Sequence, residues 1–201
     1  MKSMIPIAII LTSFLGACGI FEPNERVVGT GPVVTSTIDV ENFDKVQSSG
    51  IANVNIVESG SQVVNFSAQS EILEVMTYEV DHGTLILGFE ENVNIKTSKD
   101  ITIDIEMPGI EAIFAEGTGD WQISGSLQEE LSIDMSGTGD VHAYDQPLTN
   151  CDISATGTGS IWIHVENQLD VDLTGTGNVH YKGRPIINAD ISGTGRVISG
   201  N

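Results

Sequence analysis

Gly-Thr-Gly occurs five times in the last two fifths of this chain, at Gly117–Gly119, Gly137–Gly139, Gly157–Gly159, Gly175–Gly177 and Gly193–Gly195, with spacings of 20, 20, 18 and 18 residues. Around each triplet apolar and polar residues alternate. Four residues before the first Gly stand Ile113, Ile133, Ile153, Val171 and Ala189, and four after it Trp121, Val141, Ile161, Val179 and Val197. Between these lie mostly polar positions, including Asp134, Ser154, Asp172 and Asp190 before the triplet and Asp120, Asp140, Ser160, Asn178 and Arg196 after it. A period of two marks strands with one buried face. The phase does not break across the glycines, so the chain turns a corner there and keeps the same side inward.

At about 3.3 Å per residue one repeat traces roughly 60–65 Å, enough for three sides of about 20 Å. Coils stacked about 4.8 Å apart would place equivalent residues above one another. The expectation is an all-β fold, a single-stranded parallel β-helix or solenoid, right-handed as crossovers generally are, with Gly-Thr-Gly at a corner of each repeat of 18–20 residues. Glycine suits a corner because it tolerates positive φ and leaves room for a bend. Thr118, Thr138, Thr158, Thr176 and Thr194 would form an outward ladder. A weaker copy surrounds Gly50, and the 67 residues from Gly50 to Gly117 would hold about three more coils. The alternative is an antiparallel β-sandwich with a hairpin in each repeat. Helical periodicity is confined to "SEILEVM", Ser70 to Met76, where Ser70 is placed to cap a turn.

The N-terminus has a separate signature. Met4–Leu15 is an apolar run after Lys2, too short for a comfortable membrane span and shaped like a signal peptide. "LGAC", Leu15–Cys18, matches a bacterial lipobox, which makes Cys18 the lipid attachment site. Two or three acyl chains hold a protein to a bilayer durably where one does not. This divides the chain into a lipoprotein signal peptide (1–17), a lipidated Cys and tether (18–32) and a β domain (33–201). Gly19 after the lipid Cys points to the outer membrane and leaves open whether the domain faces the periplasm or the outside.

The formal charge is −20, and between Lys45 and Lys182 the only basic residues are Lys96 and Lys99. Such a surface repels nucleic acid and anionic headgroups, so the membrane is met through the lipid alone. With Cys18 lipidated, Cys151 has no partner for an intramolecular disulfide. It stands in a column with Glu111, Leu131, Leu169 and Ile187, otherwise mostly Leu and Ile, which makes it a core residue.

Several stretches carry a family resemblance: "FDKVQSSGIANVNIVESG" (43–60), "HGTLILGFE" (82–90), "ITIDIEMPGIEAIFAEGTGD" (101–120) and the later Gly-Thr-Gly units. With these the chain resembles the bacterial family called "putative auto-transporter adhesin, head GIN domain", over most of residues 38–201. The resemblance implies a right-handed β-helix in a lipoprotein or secreted protein of Bacteroidetes-like bacteria, an adhesive role, and no catalytic residues. Ser160 and Arg196 depart from the Asp or Asn that more often follows the triplet.

Two clusters are candidate sites. In a stacked arrangement Asp152, Asp170, Asp172 and Asp190 would lie about 5–7 Å apart, close enough for Ca²⁺ to relieve their repulsion; no other cofactor is indicated. His142, Trp162 and His180 share one outward column and could present a stacking strip to a sugar. The glycines are not a phosphate loop, because strand rather than helix follows them. A polysaccharide-active enzyme would need basic residues that this surface lacks. The expectation is a non-enzymatic envelope lipoprotein, an adhesin or a glycan- or protein-binding module. The alternatives are a structural protein that self-associates through its C-terminal coil and, third, a glycan-active enzyme.

Overall fold

The computed structural model describes residues 25–201. The apolar run and Cys18 lie outside the described residues. The first part of the chain forms β1 (Glu25–Val28), β2 (Val33–Ile38), β3 (Lys45–Ser48), β4 (Asn53–Glu58) and β5 (Val63–Gln69). One helical turn, α1 (Ser70–Leu73), leads to β6 (Met76–Asp81), β7 (Thr84–Phe89), β8 (Val93–Lys96) and β9 (Thr102–Met107). The repeats supply β10 (Ala112–Ala115), β11 (Trp121–Ser124), β12 (Gln128–Met135), β13 (Val141–Ala155) and β14 (Ile161–Leu173). The last strands are β15 (Val179–Lys182), β16 (Ile186–Ile191) and β17 (Val197–Ser199). No helix among the described residues is long and apolar enough to cross a membrane.

The all-β reading stands, but the single-stranded parallel β-helix does not. Fifteen strands form one curled, mixed sheet. Its antiparallel pairs are β2 with β5, β5 with β9, and β6 with β7. Each triplet has one strand before it and one after it rather than three sides, and the long strands β13 and β14 each serve two successive triplets. The sheet therefore has two runs. One passes β6-β7-β3-β10-β12 and the other β2-β5-β9-β4-β11, and both continue into the long strands β13 and β14, which bend from one run into the other at register shifts. The two runs share one apolar core. In having antiparallel pairs and two faces against one core, the molecule is nearer the sandwich alternative than the solenoid.

The order of layers also differs from a solenoid. β3 and β4 pair directly with β10 and β11, and on their other side with β7 and β9. The copy around Gly50 thus lies against the copy around Gly117, and the intervening residues form no extra coils between them. Part of that segment folds back through the β6–β7 hairpin. His82 (φ 49°) and Gly83 (φ 78°) both take positive φ, as a two-residue primed turn requires. "DHGT" was the local signal for this reversal.

Within the repeats the parity reading gives the register. Ile113, Ile133, Ile153, Val171 and Ala189 are ladder partners in turn. The first four are buried and Ala189 is exposed, because among the described residues no strand covers β16 on its outer side. Val54, Trp121, Val141, Ile161 and Val179 form the matching buried column of the second run.

Two local expectations change. Ser70 does not cap α1: Gln69 is the N-cap and makes no side-chain capping bond. Instead the buried Gln69 amide donates to the Gly31 carbonyl and accepts from the Thr97 hydroxyl. Residues 25–28, within the stretch read as tether, form β1, which pairs with β8 in a separate two-stranded sheet. "ERVV" is too short to show a period, and its partner lies far along the chain.

Candidate functional site

The triplets have a use that dihedral preference does not explain. None of their ten glycines has positive φ; among the described residues the glycines that do are Gly31, Gly50, Gly83 and Gly183. What they need is space. A Cβ on Gly137 or Gly157 would fall on the carbonyl oxygen of Gly117 or Gly137 in the next layer. Likewise Gly139, Gly159 and Gly177 meet the carbonyls of Gly119, Gly139 and Gly159, and Gly117 and Gly119 meet Gly50 and Ala52. Gly175, Gly193 and Gly195 continue the pattern on Gly157, Gly175 and Gly177. The same approach lets each intervening Thr N–H bond the layer before it: Thr118 donates to the Gly50 carbonyl at 2.7 Å and Thr138 to that of Gly117 at 3.0 Å.

The polar column after the triplets is a hydrogen-bonded rail. The Asp120 N–H donates to Asn53 Oδ1 at 3.0 Å, Asp140 N–H to Asp120 Oδ1 at 2.9 Å and Ser160 N–H to Asp140 Oδ1 at 2.7 Å. Asn178 N–H then donates to Ser160 Oγ at 3.2 Å, and Arg196 N–H to Asn178 Oδ1 at 3.1 Å. Each position needs a short side chain with an oxygen to accept from the next layer's backbone. Asp, Asn and Ser all satisfy that, so Ser160 is no defect. Arg196 stands last among the described layers and has no later N–H to receive. The column is structural, and its charge is incidental to it.

The candidate acidic cluster is placed as pairing predicts: Asp152 partners Asp170, and Asp172 partners Asp190. The four line one shallow surface depression. Asp170 is held by amides, accepting from Asn188 at 2.7 Å and from Gln168, which keeps its carboxyl below the usual range. Among the described residues no three His, Cys, Asp or Glu side chains are grouped so as to hold a metal ion. Cys151 is buried beneath this face, and burial pushes its thiol far up, which suppresses the reactive thiolate.

His142, Trp162 and His180 come together as one stack. The His142 and Trp162 rings lie 4.5 Å apart at 18°, and the Trp162 and His180 rings 5.1 Å apart at 7°. The two imidazoles therefore cover the two faces of the indole. What the column offers outward is ring edges, with their N–H and ring-nitrogen groups, rather than a bare aromatic platform. Nearby on the same strands sit three residues that the sequence reading passed over. The Lys182 ammonium lies 4.0 Å from the centre of the Tyr144 ring, and His164 Nε2 is 2.9 Å from Glu166 Oε1. Period two alone could have found them, since Tyr144, His164 and Lys182 each follow the stack column by two residues. Three of the four histidines thus gather with Trp162 and Lys182 on the outer side of β13, β14 and β15.

A hollow of about 920 Å³ lies elsewhere, between the loop at Pro108–Glu111 and the start of β12 with Leu127 before it. Lys45 spans it, 3.0 Å from Asp44 and 3.5 Å from Glu111. At its rim Glu58 accepts from both the hydroxyl and the N–H of Ser126, which lowers its carboxyl. These groups are satisfied by one another: Lys45 by Asp44 and Glu111, and Glu58 by Ser126.

No curated protein matches the chain. Among solved structures it is similar to a "putative adhesin" of Bacteroides fragilis NCTC 9343, with 18% identity, a TM-score of 0.59, and coverage of 86% of this chain and 99% of that one. It is also similar to a "putative adhesin" of Parabacteroides merdae ATCC 43184 (16% identity, TM-score 0.42, 88% and 100% covered). A "putative lipid binding protein" of Parabacteroides distasonis ATCC 8503 matches at 17% identity and a TM-score of 0.40, with 88% and 100% covered. The first similarity supports a shared fold, and the scores of the other two are too low to carry an argument. The model of the family "Putative auto-transporter adhesin, head GIN domain" matches residues 42–130 and again 113–185. With these matches over most of its length, the chain belongs to that adhesin family.

Proposed function

We propose that this protein is a non-enzymatic binding module of the cell envelope, held to the membrane by lipid at Cys18, which presents the outer face of β13, β14 and β15 to a glycan or protein ligand. The observation that carries this reading is the stack of His142, Trp162 and His180, with Tyr144 and Lys182 beside it. In a chain of charge −20, this face concentrates aromatic and nitrogen-bearing side chains on a rigid sheet. Because the indole faces are covered, recognition would run through ring edges donating to hydroxyl or carboxylate oxygens, with Lys182 supplying the cation. Metal-independent, non-covalent binding is the chemistry these groups support.

The test is an array of envelope and host glycans and proteins probed with the wild-type chain, followed by Trp162→Ala and Lys182→Ala. The expected outcome is that Trp162→Ala weakens the ligand found by about tenfold or more, of the order of 1–2 kcal/mol for an aromatic anchor. Unchanged binding by both variants would remove this face from the function. A second reading, an assembly role, is favoured by strands β16 and β17, which among the described residues pair on one side only. Protease shaving of intact cells separates outward from periplasmic placement, and only an outward domain can act as an adhesin.

A further inference from the structure

The hollow beside Lys45 continues inward. Glu58, Gly109, Ile110 and Gln128 line both the hollow and a recess of about 10 Å³ that runs toward the core beside Ile56, Met107 and Ile123. Gln146 lines that recess. It belongs to β13 at the register shift between Ala143 and Pro147, where the strand bends, and it is only 3% exposed. Its Nε2 donates to the Ser126 carbonyl at 2.8 Å, whereas its Oε1 accepts no hydrogen bond among the described residues. Among those residues no fully sealed side-chain oxygen or nitrogen lacks a partner, so this unbonded Oε1 opens onto the recess. Glu58 Oε2 stands beside it: both oxygens lie within 2.8 Å of the place that a Cβ on Gly125 would take. Ser126 supplies donors to the carboxylate alone. A buried acceptor without a donor is uncommon and points to a group that brings one. The recess has the volume of one such group, the size of a water molecule or an ammonium.

The charge of the lining selects a cation. Asp44, Glu58, Glu111, Glu129 and Glu130 stand against Lys45, the one base. Lys45 is taken up by Asp44 and Glu111, and Glu129 and Glu130 have no ion pair among the described residues. These acids are too dispersed for a metal ion: among the described residues no three His, Cys, Asp or Glu side chains group to hold one. Between them lie apolar residues, including Ile110 and Leu127, the latter 64% exposed. Dispersed carboxylates, an apolar wall and a buried acceptor at the bottom match an organic cation on an aliphatic stem. The hollow, at about 920 Å³, is within the ordinary size of a small-ligand site.

We propose that this hollow binds an aliphatic ammonium or guanidinium group, carried by a free amine or by a Lys or Arg side chain of a polypeptide. The cationic N–H groups donate to Gln146 Oε1 and to the Glu58 carboxylate, the stem packs on Ile110 and Leu127, and Glu129 and Glu130 at the mouth attract the charge. The site is separate from the His142, Trp162 and His180 face, and neither reading depends on the other.

The experiment is calorimetric titration of the full chain in detergent at low salt, with agmatine and cadaverine as free cations and a capped Gly-Arg-Gly peptide as the side chain. 1,5-Pentanediol is the neutral counterpart of cadaverine. The expected result is saturable binding of the cations and none of the diol. In nitrogen-15 spectra the Gln146 side-chain amide and the Ser126 N–H should shift with the same titration. Two double variants of exposed residues then locate the site. Glu129→Gln with Glu130→Gln should weaken binding about threefold or more, the scale of two exposed charge pairs. Asp152→Asn with Asp172→Asn, on the other acidic depression, should leave it unchanged. Stronger binding of the peptide assigns the site to a partner polypeptide, and stronger binding of the small cations to a free amine. No binding of any cation, equal binding of the diol, or equal loss in both variants would overturn the proposal, the last by showing attraction to acidic surface in general. Trp162→Ala should leave these affinities unchanged, so failure here and failure of the ligand reading are told apart.

Discussion

A glycine can be required for two unrelated reasons, and the triplets separate them. Gly83 needs its positive φ of 78° for a primed turn. Gly139 has no such need, but the Gly119 carbonyl occupies the place its Cβ would take. Relief would require two layers of backbone to part. Gly139→Ala should therefore cost about 1–3 kcal/mol, the usual range for overpacking. Gly60→Ala, with open space around its Cβ direction, should stay within about 0.5 kcal/mol. Urea unfolding of the two variants checks this, and equal losses would refute the packing account. Recurrence of the glycines was legible in the sequence. The reason was not, because the atom that excludes a side chain belongs to a layer 18 or 20 residues away.

At the scale of elements, the corner is a unit of backbone ladder and side-chain rail. The Asp140 carboxylate accepts the Ser160 N–H at 2.7 Å, while the Asp140 N–H is itself held by Asp120. Asp140→Ala should lower stability by about 1–2 kcal/mol through loss of that acceptor, whereas Asp140→Asn should be nearly neutral because Oδ1 remains. Thermal melts of both variants measure the difference; an equally damaging Asn would show that charge, not the acceptor, matters. The even columns, from Ile113 to Val171, were readable because alternation reports burial directly. The rail was hidden because Asp, Ser and Asn look unlike one another in sequence and become equivalent only when their oxygens meet the same N–H. The β6–β7 reversal was hidden behind only two turn residues.

For the whole molecule, charge and fold combine in the response to pH. Glu58, bonded by the Ser126 hydroxyl and N–H, has its carboxyl lowered; so does Glu71 through Thr30, and Asp170 through Asn188 and Gln168. A folded-state pKa below the unfolded one gives stability that is complete above the usual carboxylate range and lost as pH falls through the folded value. Lys45, raised by Asp44 and Glu111, acts in the other direction: its contribution is present below the usual lysine range and is lost as pH rises through the raised value. Acid also relieves the repulsion of a chain at −20, which works against the carboxylate losses. The clean measurement is therefore a difference. The stability gap between wild type and Glu58→Gln should be widest near neutrality and close on acidification to about pH 3. A gap independent of pH would show that the Ser126 contact owes nothing to the carboxylate charge.

By itself the sequence determined the all-β class, the buried columns, the register between repeats and the outward placement of His142, Trp162 and His180. These follow from a period of two carried through repeats of 18–20 residues, which is local information repeated. Only the tertiary structure decided that the repeats build a curled mixed sheet, that the Gly50 layer lies against the Gly117 layer, and that the indole faces are covered. Each of those depends on contacts between residues far apart in the chain. Alternation says which side of a strand is buried, but it is the same for parallel and antiparallel neighbours and names neither the neighbour nor the end of the sheet that is left open.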